Sequence, residues 1–156
     1  MSQCALIDAC SAPDYPAEII HVISNNPDAV GLLRAQDAGI GTSVLNHREY
    51  ETREAFDTEV TRVLEDANAE MVCLAGFMRI LTKGFVSHWT DRLLNIHPSL
   101  LPSFKGLDAQ QQALDAGAKL AGCSVHFVRP GVDEGPIIAQ AAVPVLDDDD
   151  AKALSA

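Results

Sequence analysis

Arg92-Leu93-Leu94-Asn95-Ile96-His97-Pro98-Ser99-Leu100-Leu101-Pro102 is an apolar run that stops abruptly, with two polar side chains just before the stop. Read as a strand, it projects residues i and i+2 from one face, so Asn95 and His97 point together. Pro98 has no N–H to give to a ladder and ends the pairing, which leaves both side chains at the rim of a sheet. Two donors converging at a strand end can hold an oxygen that becomes negative during acyl transfer. On spacing alone, a polar strand end that satisfies nearby backbone groups is the more ordinary reading.

Outward from this run, short apolar stretches alternate with helical patterns. Residues 18–24 read as a buried strand, and Asn26-Pro27 as the N-cap and first position of a helix that Gly39 stops. Residues 41–45 give a second, shorter strand. Thr52 caps a helix in which Phe56, Val60, Val63, Leu64 and Ala67 form a single buried stripe, leaving Arg53, Glu59, Arg62 and Glu65 largely to water. Residues 70–76 form another apolar strand, and residues 107–116 a helix closed by Gly117. Strands at 122–128 and 136–143 follow, separated by a turn through Pro130-Gly131. The alternation predicts an α/β fold, a mostly parallel sheet with helices on both faces, in one domain spanning residues 1–156.

Composition narrows the function classes. A chain of 156 residues, 47% hydrophobic and 21% charged, is long enough to bury its own core. No apolar run approaches the roughly 20 residues that a membrane-spanning helix needs. The first residues lack a basic stretch followed by an apolar one, so no secretory signal is visible and a cytoplasmic location is the default. The net charge of −11 argues against nucleic acid, whose phosphates call for clustered Lys and Arg. Cys4, Cys10, Cys73 and Cys123 form no CxxC and read as reduced structural thiols. The run from Asp147 to Asp150 suits a solvated turn, and adjacent residues do not converge on one metal ion.

Three segments carry a resemblance: Ala75-Gly76-Phe77-Met78-Arg79-Ile80-Leu81, Asn95-Ile96-His97-Pro98-Ser99-Leu100-Leu101-Pro102, and Asp133-Glu134-Gly135-Pro136. Together they make the chain similar to the phosphoribosylglycinamide formyltransferases, folate-dependent enzymes of purine biosynthesis with a Rossmann-like fold. The resemblance extends to Leu6-Ile7-Asp8-Ala9-Cys10 and Ser124-Val125-His126-Phe127-Val128. It implies that Asn95, His97 and Asp133 are a catalytic trio. The reaction would move a formyl group from 10-formyltetrahydrofolate to the primary amine of glycinamide ribonucleotide. Asn95 and a protonated His97 would donate to the developing oxyanion. Asp133 would orient His97, favour its imidazolium and help relay a proton through water.

The resemblance further implies a pterin groove of backbone groups and apolar side chains at Met78, Arg79, Ile80 and Leu81. Val86 would lie beneath it and the loop of residues 129–133 opposite. Gly76 and Ile96 would face the ribonucleotide through their backbone, and Arg53 would lie near the folate's carboxylate tail. No metal is implied. Formyltetrahydrofolate hydrolase, which passes the formyl group to water, shares the Asn, His and Asp pattern and stands as the enzymatic alternative. A catalytically inactive remnant that still binds folate is the non-enzymatic one.

Relatives of this kind begin with a strand and a Gly-Ser-Asn loop that holds the substrate phosphate at a helix N-terminus. Here residues 3–10 already read as helix, and the chain closes on what reads as the first turn of another, so both ends look cut. A missing central strand would leave a seam prone to pairing with another chain, which keeps a homodimer open. Gly106-Leu107-Asp108-Ala109-Gln110-Gln111 has glutamines where many relatives carry histidines; these can keep the loop's hydrogen bonding. Outside the resemblance, Asp133 is an ordinary turn residue between Gly131 and Gly135. His126, sharing a strand face with Ser124, reads as a hydrogen-bonded core histidine or a site residue. Phe77 and Met78 read equally as core or as pocket lining.

Overall fold

A computed structural model of the chain describes residues 2–155. These divide into two compact units, one of residues 2–70 and 75–85, the other of residues 71–74 and 86–155. The first unit opens with α1 (Ser2–Cys10), β1 (His21–Ser24), α2 (Val30–Asp37), β2 (Gly41–Val44) and α3 (Arg53–Asp66). β1 and β2 pair in parallel, Val22 opposite Thr42. Val22, Leu32 and Ala35 are its buried centre, with Ile7, Ile19, Ala29 and Ile40 packed against them.

Local sequence explains most of these boundaries. Thr52 is the N-cap of α3, and its Oγ1 accepts the Ala55 N–H at 3.1 Å. Gly39, at φ +73°, ends the turn after α2, and the Ile40 N–H closes on the Ala35 carbonyl at 2.8 Å. The start of α2 differs from the sequence reading. Asn26 Oδ1 accepts the Asp28 N–H at 3.0 Å in a local Asx turn, so the helix begins at Val30 rather than at Pro27.

The second unit is built on a four-stranded sheet in the order β3 (Val72–Leu74), β4 (Leu93–His97), β5 (Leu120–Phe127) and β6 (Ile137–Pro144). α4 (Lys83–His88) precedes β4, and α5 (Ala109–Asp115) lies between β4 and β5. Trp89 and Leu93 are buried almost completely, and the Arg92 guanidinium stacks 4.6 Å above the Trp89 ring.

The α/β class stands, with parallel strands and helices in alternation. Only β1–β2 and β3–β4 pair in parallel, however; β4–β5 and β5–β6 are antiparallel. The β5–β6 connection of residues 128–136 contains no helix, so the chain returns beside the strand it has just left. The antiparallel pairing of β4 with β5 matters for the site, because it sets Asn95 opposite His126 and His97 opposite Ser124. Among the described residues, no helix is long and apolar enough to cross a membrane.

Candidate active site

β4 delivers Asn95 and His97 to its C-terminal end, as the alternation predicts. Beyond His97 the chain turns sharply, and Ser124 on β5 fastens that turn. The Ser124 hydroxyl donates to the Ser99 carbonyl at 2.7 Å and accepts from the Leu101 N–H at 2.9 Å and Gln140 Nε2 at 2.8 Å. One donor and two acceptor positions are all that a hydroxyl offers, so this fully buried group is satisfied.

His97 is only 5% exposed, and both of its ring nitrogens meet oxygens. Nε2 lies 2.9 Å from the Phe104 carbonyl, and Nδ1 lies 3.3 Å from Asp133 Oδ2. A carbonyl can only accept, so Nε2 carries a hydrogen. Asp133 Oδ2 also accepts the Gly106 N–H at 2.7 Å. A neutral ring with its proton on Nε2 would aim the Nδ1 lone pair at that carboxylate. Only an imidazolium would present an N–H to both oxygens, and both side chains of the pair are largely buried.

The backbone around the pair is held in uncommon conformations. Asp133 has φ +47°, and Phe104 and Asp108 have φ +54° and +55°. Non-glycine residues persist there when surrounding bonds over-determine them. Phe104 is fixed by its carbonyl on His97, Gly106 by its amide on Asp133, and Gln112 Nε2 donates to the carbonyls of Lys105 and Leu107 at 3.0 and 2.8 Å. A glutamine of α5 thus supports the loop in this region. Gly135, at φ +141°, passes so close to the Phe127 carbonyl that a Cβ would sit 2.0 Å from it. Only glycine fits there.

Among the described residues, no hydrogen bond joins the Asn95 side chain to His97 or Asp133; its partner is His126. Its Nδ2 lies 3.3 Å from Nε2 of His126, a residue that is 1% exposed. His126 Nδ1 lies 3.0 Å from the Phe127 carbonyl, which can only accept; in the neutral ring Nε2 is then an acceptor, and the Asn95 amide turns its NH2 toward it. Asp133 Oδ1 stands 4.0 Å from the same nitrogen. His126 therefore joins the trio's surroundings, where the sequence left it between core and site. The signal that finds it is antiparallel register with Asn95, which no local pattern contains. Replacing His126 with phenylalanine should cost about 1–3 kcal/mol, because a half-buried amide loses its acceptor. His126→Gln, which can still accept, should cost less; urea midpoints of the two variants check the order.

An open groove lies beside Asp133, lined by Leu101, Pro102, Lys105, Glu134, Gly135 and Ile137. Ile96 is about one-third exposed, and Val86 is buried. In the first unit, the segment from Gly76 to Leu81 lacks regular structure, with Gly76 at φ +68°. Met78 and Ile80 are 75% and 69% exposed and alternate with half-buried Phe77, Arg79 and Leu81. Arg53 opens α3 and is exposed. His47 Nδ1 takes the Asn25 amide at 3.0 Å, and partial burial, with Arg79 and Arg48 nearby, lowers its pKa. Among the described residues no group of His, Cys, Asp or Glu could hold a metal ion.

The formyl transferase family model matches residues 2–156. The chain is 54% identical over 153 residues to the trifunctional purine biosynthetic protein adenosine-3 of Drosophila melanogaster, covering 97% of this chain but 11% of that protein. It is 48% identical over 145 residues to the phosphoribosylglycinamide formyltransferase of Escherichia coli, covering 93% of this chain and 68% of that one. The solved structure of glycinamide ribonucleotide transformylase 1 from Symbiobacterium toebii superposes with a TM-score of 0.95 at 47% identity, over 99% of this chain and 72% of that one.

Proposed function

The chain belongs to the formyl transferase family, and from that premise we propose that its second unit carries the trio Asn95, His97 and Asp133 of a formyl transfer from 10-formyltetrahydrofolate to glycinamide ribonucleotide. The observation that carries this reading is His97 Nδ1 held 3.3 Å from Asp133 Oδ2, two residues along the strand from Asn95. A buried cationic donor beside a neutral amide suits an oxygen that gains charge as an amine attacks a formyl carbon. The names of the relatives supply the substrate class.

In this reading the Phe104 carbonyl occupies the direction in which Nε2 donates, and the formyl oxygen replaces it as its charge develops. Asn95 supplies a second donor from an amide whose orientation His126 sets. Asp133 keeps the ring charged and aimed, and takes part in moving a proton from the attacking amine toward the departing folate nitrogen through water. Met78 and Ile80 fit a flat aromatic donor: both are exposed apolar side chains two residues apart in an irregular segment, beside main-chain groups that can read a pterin's polar edge. The family resemblance is the ground for assigning Arg79, Leu81, Val86 and Arg53 to donor binding as well, and Gly76 and Ile96 to the ribonucleotide. A cytoplasmic location suits such a substrate pair.

The deciding experiment is a formyl-transfer assay on the purified chain. Donor consumption is expected only when glycinamide ribonucleotide is present. Formate release without it would favour the hydrolase, and folate binding without either reaction would favour the inactive remnant.

A further inference from the structure

Asp57 is the one carboxylate of α3 that is buried, at 5% exposure, and no step of formyl transfer uses it. A carboxylate in that position is costly unless a partner holds it. Its partner is a main-chain amide: Oδ2 accepts the Thr82 N–H at 2.7 Å. Thr82 in turn starts α4, its Oγ1 accepting the Phe85 N–H at 3.3 Å. The neighbouring Phe56 carries the Arg79 guanidinium 5.5 Å from its ring centroid. Consecutive residues of α3 therefore grip one segment at two points, Arg79 and Thr82. Between those anchors and Ala75, residues 75–81 form no backbone–backbone hydrogen bond among the described residues. No local ladder fixes where their amides and carbonyls stand.

We propose that Asp57 is a positioning residue for the donor site, its carboxylate setting the place of Met78 to Leu81 by holding the Thr82 amide. The proposal rests on reading that segment as the pterin groove. Asp57 touches no reacting atom; it acts through the main chain. The charge of the acceptor matters less than its position, because an amide oxygen in the same place can take the same N–H. Removing the acceptor frees the segment's C-terminal anchor and lets its binding groups spread over many positions, which weakens binding without changing the chemistry.

The test is calorimetric titration of 10-formyltetrahydrofolate into the native chain and into Asp57→Asn, Asp57→Ala and Asp57→Glu, at a temperature where circular dichroism shows each folded. The expected order is Asn within about threefold of native and Ala at least tenfold weaker. Glu keeps the charge but displaces the oxygen by a methylene, and should fall at least fivefold. If Ala does not fold, the Asn and Glu variants decide. A transfer assay on the same samples should show KM rising with kcat nearly unchanged. Native affinity in folded Ala or Glu variants would overturn the proposal, since a purely structural anchor lowers the melting temperature and leaves affinity intact. Absence of any binding by the native chain would overturn the donor-site reading itself, and this proposal with it.

Discussion

Replacing His97 with alanine should lower the turnover of formyl transfer by about 100- to 1,000-fold, with KM for the donor little changed. The size follows from what the ring does. In the proposed mechanism it acts as a charged donor, from a ring 5% exposed with Nδ1 3.3 Å from Asp133. Such a donor is worth most where negative charge exists only in the transition state, so its loss falls on kcat rather than on binding. The variant should also be less stable by about 1–3 kcal/mol, because the Phe104 carbonyl loses its partner. The two effects separate when turnover is normalised to folded protein from a denaturation curve at the assay temperature. Native turnover in a folded His97→Ala sample would remove the ring from the chemistry and leave it a purely structural clamp on residues 104–106.

The features legible in the sequence were those written in neighbouring residues. Thr52 caps α3 because a threonine three residues before an N–H can reach it, and Gly39 ends α2 because the turn there needs positive φ. The strand that Pro98 stops delivers Asn95 and His97 together for the same local reason. Asn26 shows where such rules tie. An asparagine side chain accepting an N–H two residues on is both an N-cap and an Asx turn, and the sequence does not say which.

The unread features depend on elements distant in the chain. His126 faces Asn95 only because β4 and β5 run antiparallel, which alternation of strand and helix does not announce. Asp57 left a trace: it stands three residues before Val60 and seven before Leu64, on the buried side of a helix whose stripe was traced from Phe56. A carboxylate at helical spacing with core residues signals a tertiary partner, but the partner, the Thr82 amide, lies 25 residues away. Phe104 and Gly106 contribute only main-chain atoms, and these carry no side-chain signature.

Asp133→Asn should cost nearly as much turnover as loss of the imidazole, on the order of 100-fold or more, while leaving the fold almost untouched. Asparagine has the same shape and, with aspartate, is among the residues that best tolerate the φ of +47° found there. Its amide oxygen can keep the Gly106 N–H, so the loop retains its anchor. With the amide oxygen in the place of Oδ2, both the Gly106 N–H and His97 Nδ1 still face an acceptor, and the amide nitrogen takes the place of Oδ1 beside His126 Nε2. What His97 loses is the negative charge that favours a second proton. With no anion beside it, the ring is expected to be neutral, with its one proton on Nε2 against the Phe104 carbonyl. Ring nitrogen-15 shifts should read two N–H groups in the native chain and one in the variant, at the same pH. This result separates two roles that structure alone superimposes. If Asp133 serves only to aim the ring, a neutral but well-placed imidazole keeps most of the rate. If its charge sustains the cationic donor, the rate falls with the second N–H signal although the melting curve hardly moves. A variant that loses the second N–H and retains native turnover would rule out the imidazolium as the working form.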